Sequence, residues 1–431
     1  MQPHAHIAAL IEVLGEQLTI FSEKRHVPAD GQLHRYFRQR RYMGSKDRAA
    51  VAERYYAILR HLATLHWWVE RSALPYDARS LTLLYLALQE QQDLAALTAL
   101  FSGKRYAPAS LQHREQEAIA ACHGASLFHQ EMPEHVRLNV PAWLYDALRI
   151  TYGDALHPLL EALQENAPLD IRVNTLKASR AEVIAALHEA DIIAQPTPWS
   201  ATGLRIAKRT SLFTHPAFTK GWFEVQDEGS QLVAQLVQAK KGDKVIDMCA
   251  GAGGKTLAIA ATMHNKGRIL AWDVSAHRLR DLPKRLKRAG IDNVQWRHIA
   301  STSDSWIKRH KASADWVLLD VPCSGTGTWR RNPDMKWRFQ PAQLEELCIM
   351  QRDILQSAAR LVAPGGRLVY ATCSILEEEN AQQVAWFLSQ QPDFTKEIIA
   401  SPLPLADGCL RSLPHLHQTD GFFAAILHKS R

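Results

Sequence analysis

From residue 221 onward, short strand-like runs alternate with helical stretches, and no other feature restricts the fold of this chain so tightly. "KVIDM", "GRILAWD", "DNVQWRH", "ADWVLLD" and "GGRLVYATC" are rich in branched and large apolar residues, as strands covered on both faces are. Alternation at this spacing predicts a doubly wound, mainly parallel sheet with crossover helices, a Rossmann-like α/β domain. Ligands of such sheets sit outside the carboxyl ends of the strands, and the chemically distinctive residues named below all fall at such ends.

At 431 residues, 46% of them hydrophobic, the chain exceeds what one core organises, and it divides by texture into three parts. Residues 1–130 are expected to form an all-helical domain: "DRAAVAERYYAILRHLATLHWWVERS" sets Val51, Tyr55, Ile58, Leu59, Leu62 and Leu65 on one stripe. Residues 131–220 change to short alternating segments, with "PLDIRVNTLKAS" and "GLRIAKRTSL" strand-like and "SRAEVIAALHEADI" a capped helix, which together predict a small α+β module. Residues 221–431 form the α/β domain.

The net charge of +7 suits a polyanionic partner, and "LHRYFRQRRYMGSKD" interleaves Arg35, Arg38, Arg40 and Arg41 with Tyr36, Phe37 and Tyr42. Guanidinium groups beside rings suit RNA backbone and base stacking; the same pattern also fits a helix whose rings pack inward and whose arginines are solvated. Six spread cysteines show neither disulfide-scaffold density nor zinc-site pairing, so free thiols and no metal are expected, with Cys122, Cys348 and Cys409 as small buried hydrophobes. "MQPHAHIAALIEVLGEQL" breaks its apolar positions with His, Glu and Gln, which predicts neither a leader nor a membrane span. The expectation is a cytoplasmic monomer without an obligate protein partner.

"DMCAGAGGKT", after the first strand of the α/β domain, ends like a phosphate-binding P-loop. A P-loop needs a glycine where Cys249 stands, and the dinucleotide fingerprint needs one where Thr256 stands. Gly251, Gly253 and Gly254 still let a backbone approach its ligand closely at the start of a helix. The next strand ends in Asp273, where a carboxylate can accept hydrogen bonds from both hydroxyls of a ribose. A glycine turn for an amino-acid end and an acid for a ribose describe a nucleoside cofactor without a pyrophosphate, namely S-adenosylmethionine.

"DWVLLDVPCSGTGTWRRNPDMKWR" places Asp320, Pro322 and Cys323 at one strand end, and "GGRLVYATCSILEEEN" places Thr372, Cys373 and Ser374 at another. Two thiols can therefore converge on one cleft. An exocyclic amine already has a lone pair for a methyl group, whereas carbon 5 of a pyrimidine becomes nucleophilic only after a thiolate adds to carbon 6. Asp320 can assist that addition by hydrogen bonding or proton donation at the ring nitrogen beside the carbonyl.

With these motifs, the chain resembles the Sun/RsmB (NOP2/Sun) RNA 5-methylcytosine methyltransferases. "PLDIRVNTLK" and "FEVQDEGSQLV" resemble that family's preceding RRM-like module and "TDGFFAAIL" its closing strands, while "SKDRAAVAERYYAILRHLATLHWWVE" resembles, more loosely, the NusB-like RNA-binding domain of bacterial members. The resemblance implies a class I methyltransferase domain acting on RNA, expected to be ribosomal RNA. It implies Cys373 as the thiol that adds to carbon 6, Cys323 as the one that helps release product, and Asp320 and Lys255 beside them. Cys249, Ala250, Gly251, Ala252, Gly253, Gly254, Lys255, Asp273, Arg278 and Asp320 would contact the cofactor. The family turn usually has Ala-Pro where this chain has Gly251 and Ala252, and a common aspartate after the third strand has no counterpart at Ala300 or Ser301, the nearest being Asp304. A non-catalytic RNA-binding assembly factor and a DNA cytosine methyltransferase are the competing readings.

Overall fold

The computed structural model describes residues 1–25, 27–208, 210–403 and 407–431, and two compact units arise from them. One is Met1–Gln164 with Trp329–Gln340, and the other is Glu165–Thr328 with Pro341–Arg431.

The first unit is helical among its described residues. The stripe read from the sequence falls on the helices Ser45–Arg60 and Leu62–Arg71, and all six of its residues are buried. Pro3–Ser22 is long and apolar enough to cross a bilayer by length and composition, which the scattered polar residues had not predicted. In this unit it serves as a core helix, burying Ile7, Leu10, Val13, Leu14 and Ile20, and its Gln17 accepts the Tyr55 hydroxyl at 2.9 Å. In "RYFRQRRY", Tyr36 and Phe37 pack inward, Tyr36 donates to Glu12 at 2.7 Å, and the Arg40 guanidinium lies 3.7 Å from the Tyr36 ring centroid. Those two rings are therefore not base-stacking platforms; Arg35, Arg38, Arg41 and Tyr42 remain exposed.

Helical structure continues past the expected boundary near residue 130. Ala142–Tyr152 and Leu156–Gln164 bury Leu144, Leu148, Leu156, Leu159, Leu160 and Leu163 at helical spacing, which gives 131–164 a core-forming stripe of its own. The second half of the proline-cysteine motif also belongs to this unit. Ala29 N–H donates to Asp334 at 3.1 Å, Arg60 to the Arg330 carbonyl at 3.0 Å, Lys336 to the Arg60 carbonyl at 3.1 Å and the Trp337 indole to the Leu59 carbonyl at 2.7 Å. Lys336 is buried, and desolvation, with the Arg60 charge adding to it, holds its pKa well below the usual lysine range.

The second unit contains both sheets. The small one comprises β1 (Leu169–Val173), β2 (Ala194–Pro196), β3 (Gly203–Ile206) and β4 (Phe223–Val225), antiparallel in the order β2-β3-β1-β4. The helix Arg180–His188 crosses between β1 and β2, opened by a capping box between Ser179 and Glu182. The large sheet comprises β5 (Lys244–Asp247), β6 (Arg268–Asp273), β7 (Val294–His298), β8 (Ala314–Asp320), β9 (Val362–Thr372), β10 (Phe394–Glu397) and β12 (Phe422–Lys429), with β11 (Leu410–Ser412) against β12. Strands β7-β6-β5-β8-β9 are parallel, and β12 and β10 continue antiparallel beyond β9. All five strands read from the sequence are present and form the parallel part.

Register decides what meets at the carboxyl ends. Asp320 of β8 lies opposite Ala371 of β9, so the residues that follow each strand emerge at the same edge. β6 outlasts its pairing with β5 by two residues, which carries Asp273 beyond the end of β5.

Candidate active site

The turn after β5 is built around left-handed backbone. Gly253, with φ +82°, caps the helix Gly254–Thr262 in the left-handed region that favours glycine, and a Cβ there would lie 2.2 Å from Leu282 Cδ1, which would have to shift. Thr256, where a dinucleotide site would have glycine, donates its hydroxyl to Asp247 Oδ2 at 2.7 Å. Asp247 Oδ1 is buried without a partner, and burial, with the Asp320 and Asp273 charges adding to it, pushes the carboxyl up to about 7.

Asp273 closes the same end. It accepts the Gly251 N–H on Oδ2 at 2.8 Å and the Ser275 N–H on Oδ1 at 2.7 Å, leaving further lone pairs on each oxygen. A Cβ at Gly251 would meet no atom within 4 Å, so open space faces the turn beside that acid. Cys249 lies over the acidic cluster, where burial and then the charges of Asp247, Asp273 and Asp320 push its thiol far up. Arg278 is exposed on the short helix Ala276–Leu279, where its backbone N–H donates to Ser275 Oγ at 3.3 Å. Asp304 is occupied as a helix cap, accepting from Ala300 N–H at 2.9 Å and Trp306 N–H at 2.8 Å.

Lys255, on the first turn of that helix, reaches across to β8 and donates to Asp320 Oδ2 at 2.6 Å. Burial alone would lower the lysine, but the Asp320 carboxylate outweighs it and the group is raised. Cys323 and Cys373 meet with their sulfurs 3.3 Å apart. Hydrogen bonding to Cys373, and after it burial, push the Cys323 thiol well above its ordinary range, and either sulfur can be the donor of the bond between them. Of the other three expected as buried hydrophobes, Cys122 and Cys409 are buried; Cys348 is only half-buried, on an exposed stretch of the helix Pro341–Ala359.

A buried acid not singled out from the sequence holds the two thiol loops together. Glu379 accepts the Ser324 N–H at 2.8 Å, the Ser324 hydroxyl and the Gln351 amide at 3.0 Å. Ser374 lies 3.2 Å from Ser324 Oγ and 3.0 Å from Thr326 Oγ1, and Gly327 N–H donates to the Cys373 carbonyl at 3.0 Å. Burial raises the Glu379 carboxyl. In "LEEEN" the three acids look alike; Glu377 pairs with Arg411 near the surface, and only the fold turns Glu379 inward. Among the described residues no cluster of His, Cys, Asp and Glu is arranged to hold a metal ion.

Residues 234–428 match the family model described as 16S rRNA methyltransferase RsmB/F, and residues 140–212 match its ferredoxin-like domain. A probable ribosomal RNA small subunit methyltransferase B of Synechocystis is 32% identical over 91% of this chain and 93% of its own length. Ribosomal RNA small subunit methyltransferase B of Klebsiella pneumoniae is 32% identical over 90% and 92%. Among solved structures, PH0851 aligns with a TM-score of 0.81 at 29% identity, covering 100% of this chain and 99% of that one. NSun6 from Pyrococcus horikoshii with SFG aligns with a TM-score of 0.61 at 25% identity, over 68% of this chain and 98% of its own.

Proposed function

The chain belongs to the 16S rRNA methyltransferase RsmB/F family, and we propose that within that family's activity Cys373 bonds covalently to carbon 6 of the target cytidine. It is an S-adenosylmethionine-dependent enzyme that methylates carbon 5 of a cytidine in ribosomal RNA; the readings as a non-catalytic assembly factor or a DNA methyltransferase are not favoured. When bound, S-adenosylmethionine supplies an electrophilic methyl group. The residues at hand suit that cofactor: open space at Gly251, Asp273 with free lone pairs beside it, and Lys255 and Asp320 at the neighbouring strand end.

The observation that carries the reading is the 3.3 Å approach of Cys323 and Cys373, brought together after the paired strands β8 and β9. Cys373 is taken as the attacking thiol, as the family resemblance implies, and its thiolate is the nucleophile. As its sulfur adds to carbon 6, electron density moves toward the ring nitrogen beside the carbonyl. The proton shared between Lys255 and Asp320 is passed by Asp320 to that nitrogen as the charge builds, and returns when the carbon–sulfur bond breaks. Carbon 5 takes the methyl group, a base then removes the carbon 5 proton, and the carbon–sulfur bond breaks with its electron pair returning to Cys373. Cys323 positions or supplies that base.

Arg278 is read as an outer contact of the cofactor. Cys249, Ala250, Ala252 and the three glycines are read as its cradle. The helical region, expected as 1–130 and extended by the helices up to Gln164, is taken as the RNA-binding part, followed in the chain by the small-sheet module and the catalytic domain. The protein is further read as a cytoplasmic monomer.

Incubating the full chain with methyl-tritiated S-adenosylmethionine and unmodified 16S rRNA tests the reading. Tritium should appear in 5-methylcytidine after nucleoside digestion. Label in another nucleoside, or none in RNA, would overturn it.

A further inference from the structure

The turn Ala250–Gly254 contains three glycines and no residue of fixed φ, so its own sequence gives it little rigidity. The Ala250 carbonyl accepts the Gly253 N–H at 2.8 Å within the turn, and two further carbonyls are held from outside. The Ala252 carbonyl accepts from Arg285 Nη1 at 2.7 Å, and the Gly254 carbonyl accepts from Arg172 Nη1 at 2.7 Å. Neither arginine is near the turn in sequence: Arg172 lies on β1 of the small sheet and Arg285 on the helix Leu282–Ala289.

Buried Glu224 lies beside Arg172 and binds Arg285. It sits opposite Arg172 in the β1–β4 register, pairs with Arg285 Nη2 at 3.0 Å, and takes Arg288 on its other oxygen. Arg172 also donates to Gln226. Burial lowers Arg172 to about 10, so it remains charged at neutral pH.

We infer that Arg285, paired with Glu224, and Arg172 are positioning residues that clamp the cofactor turn, and that the small sheet acts in cofactor binding through them. This rests on the reading of the turn as the S-adenosylmethionine cradle. A mobile turn must be ordered when the cofactor binds, and that cost falls on cofactor affinity. Once the cofactor is seated the chemical step is untouched, since neither arginine reaches the thiols or Asp320 through any described contact.

The test uses the full chain with Arg285→Met, Arg285→Lys and Arg172→Met. Calorimetric titration with S-adenosylmethionine is set beside steady-state kinetics on rRNA. Loss of a charge-assisted hydrogen bond predicts Kd and KM for S-adenosylmethionine raised about tenfold or more in Arg285→Met. Its kcat at saturating cofactor and its affinity for RNA should stay within about twofold, and Arg285→Lys should recover part of the loss. Arg172 is the more buried, so a folding failure in Arg172→Met leaves the decision to the two Arg285 variants. Cofactor affinity within twofold of the parent in folded Arg285→Met overturns the clamp, as does a fall in kcat with KM unchanged. Asp273→Ala run alongside separates the premises: if it too binds cofactor normally, the turn is not the cradle; if it alone loses binding, only the clamp is wrong.

Discussion

The two ends of this site are held by opposite means. At the thiol end, the loops bearing Cys323 and Cys373 are joined by hydroxyls, an amide and the buried Glu379, nearly all supplied by the two cysteine motifs themselves. At the glycine end, besides one hydrogen bond within the turn and Asp273 on the Gly251 N–H, two carbonyls are held by arginines from β1 and the helix Leu282–Ala289, neither part of the turn's motif. A reaction that makes and breaks a covalent bond needs its two sulfurs fixed to each other, and local contacts do that. A turn that must admit and release a cofactor is instead restrained from behind, leaving its open face free.

The contrast is broken most severely at Glu379. Glu379→Ala strands the buried Ser324 N–H and loosens the Ser324 hydroxyl and Gln351 amide, which keep other partners, and leaves a cavity, so a loss of about 3–5 kcal/mol in urea denaturation is expected. Glu379→Gln keeps an acceptor and should recover part of it. A loss below about 1 kcal/mol would mean that the thiol loops do not depend on their buried acid.

Asp247, under the glycine turn, gives the next effect, through pH. Its folded-state pKa of about 7 lies above the unfolded value, so the folded state holds the extra proton between about 4 and 7. The stability this contributes is present below about pH 4 and is lost as pH rises through 7, on the order of 2–4 kcal/mol across the window. Asp247→Asn lacks the titration, so its stability relative to the parent should improve from pH 5 to pH 8. Parallel stability curves would show that the site relieves the buried charge some other way.

Asp273→Ala sharpens the glycine end, with S-adenosylmethionine binding expected to weaken by roughly 1.5–3 kcal/mol and RNA binding little changed. Calorimetry giving unaltered cofactor affinity in the folded variant would remove Asp273 from the site. The smallest effect belongs to the exposed arginines of "RYFRQRRY". Replacing Arg38 and Arg41 by Ala should lower the slope of log affinity for RNA against log salt by about 1–2, as two phosphate contacts are lost. An unchanged slope would show that these arginines face only solvent.

The same contrast explains what could be read from the sequence. The parallel strands, Asp273, Asp320 and both cysteines were legible because strand period and end position survive in local sequence. The clamp was not, since Arg172 and Glu224 on β-strands look like solvated charges until the small sheet places them under the turn. Glu379 hid in a run of acids, and 131–164 hid a helical stripe where the sequence texture changes. In "WRRNPDMKWR" the polar look masked Lys336 and Trp337, whose partners are backbone carbonyls of residues 59 and 60. Tyr36 and Phe37 show the converse, rings that looked suited to RNA and are core.

The division of labour between the two thiols is decided by covalent trapping on RNA. Purified Cys323→Ala, Cys373→Ala and the double variant are incubated with substrate RNA and S-adenosylmethionine, then run on denaturing gels. Cys323→Ala should methylate once and accumulate a protein–RNA adduct, because Cys373 still attacks but elimination is impaired. Cys373→Ala and the double variant should give neither adduct nor methylation. An adduct in Cys373→Ala that is absent from Cys323→Ala would contradict the account and make the proline-cysteine thiol the nucleophile.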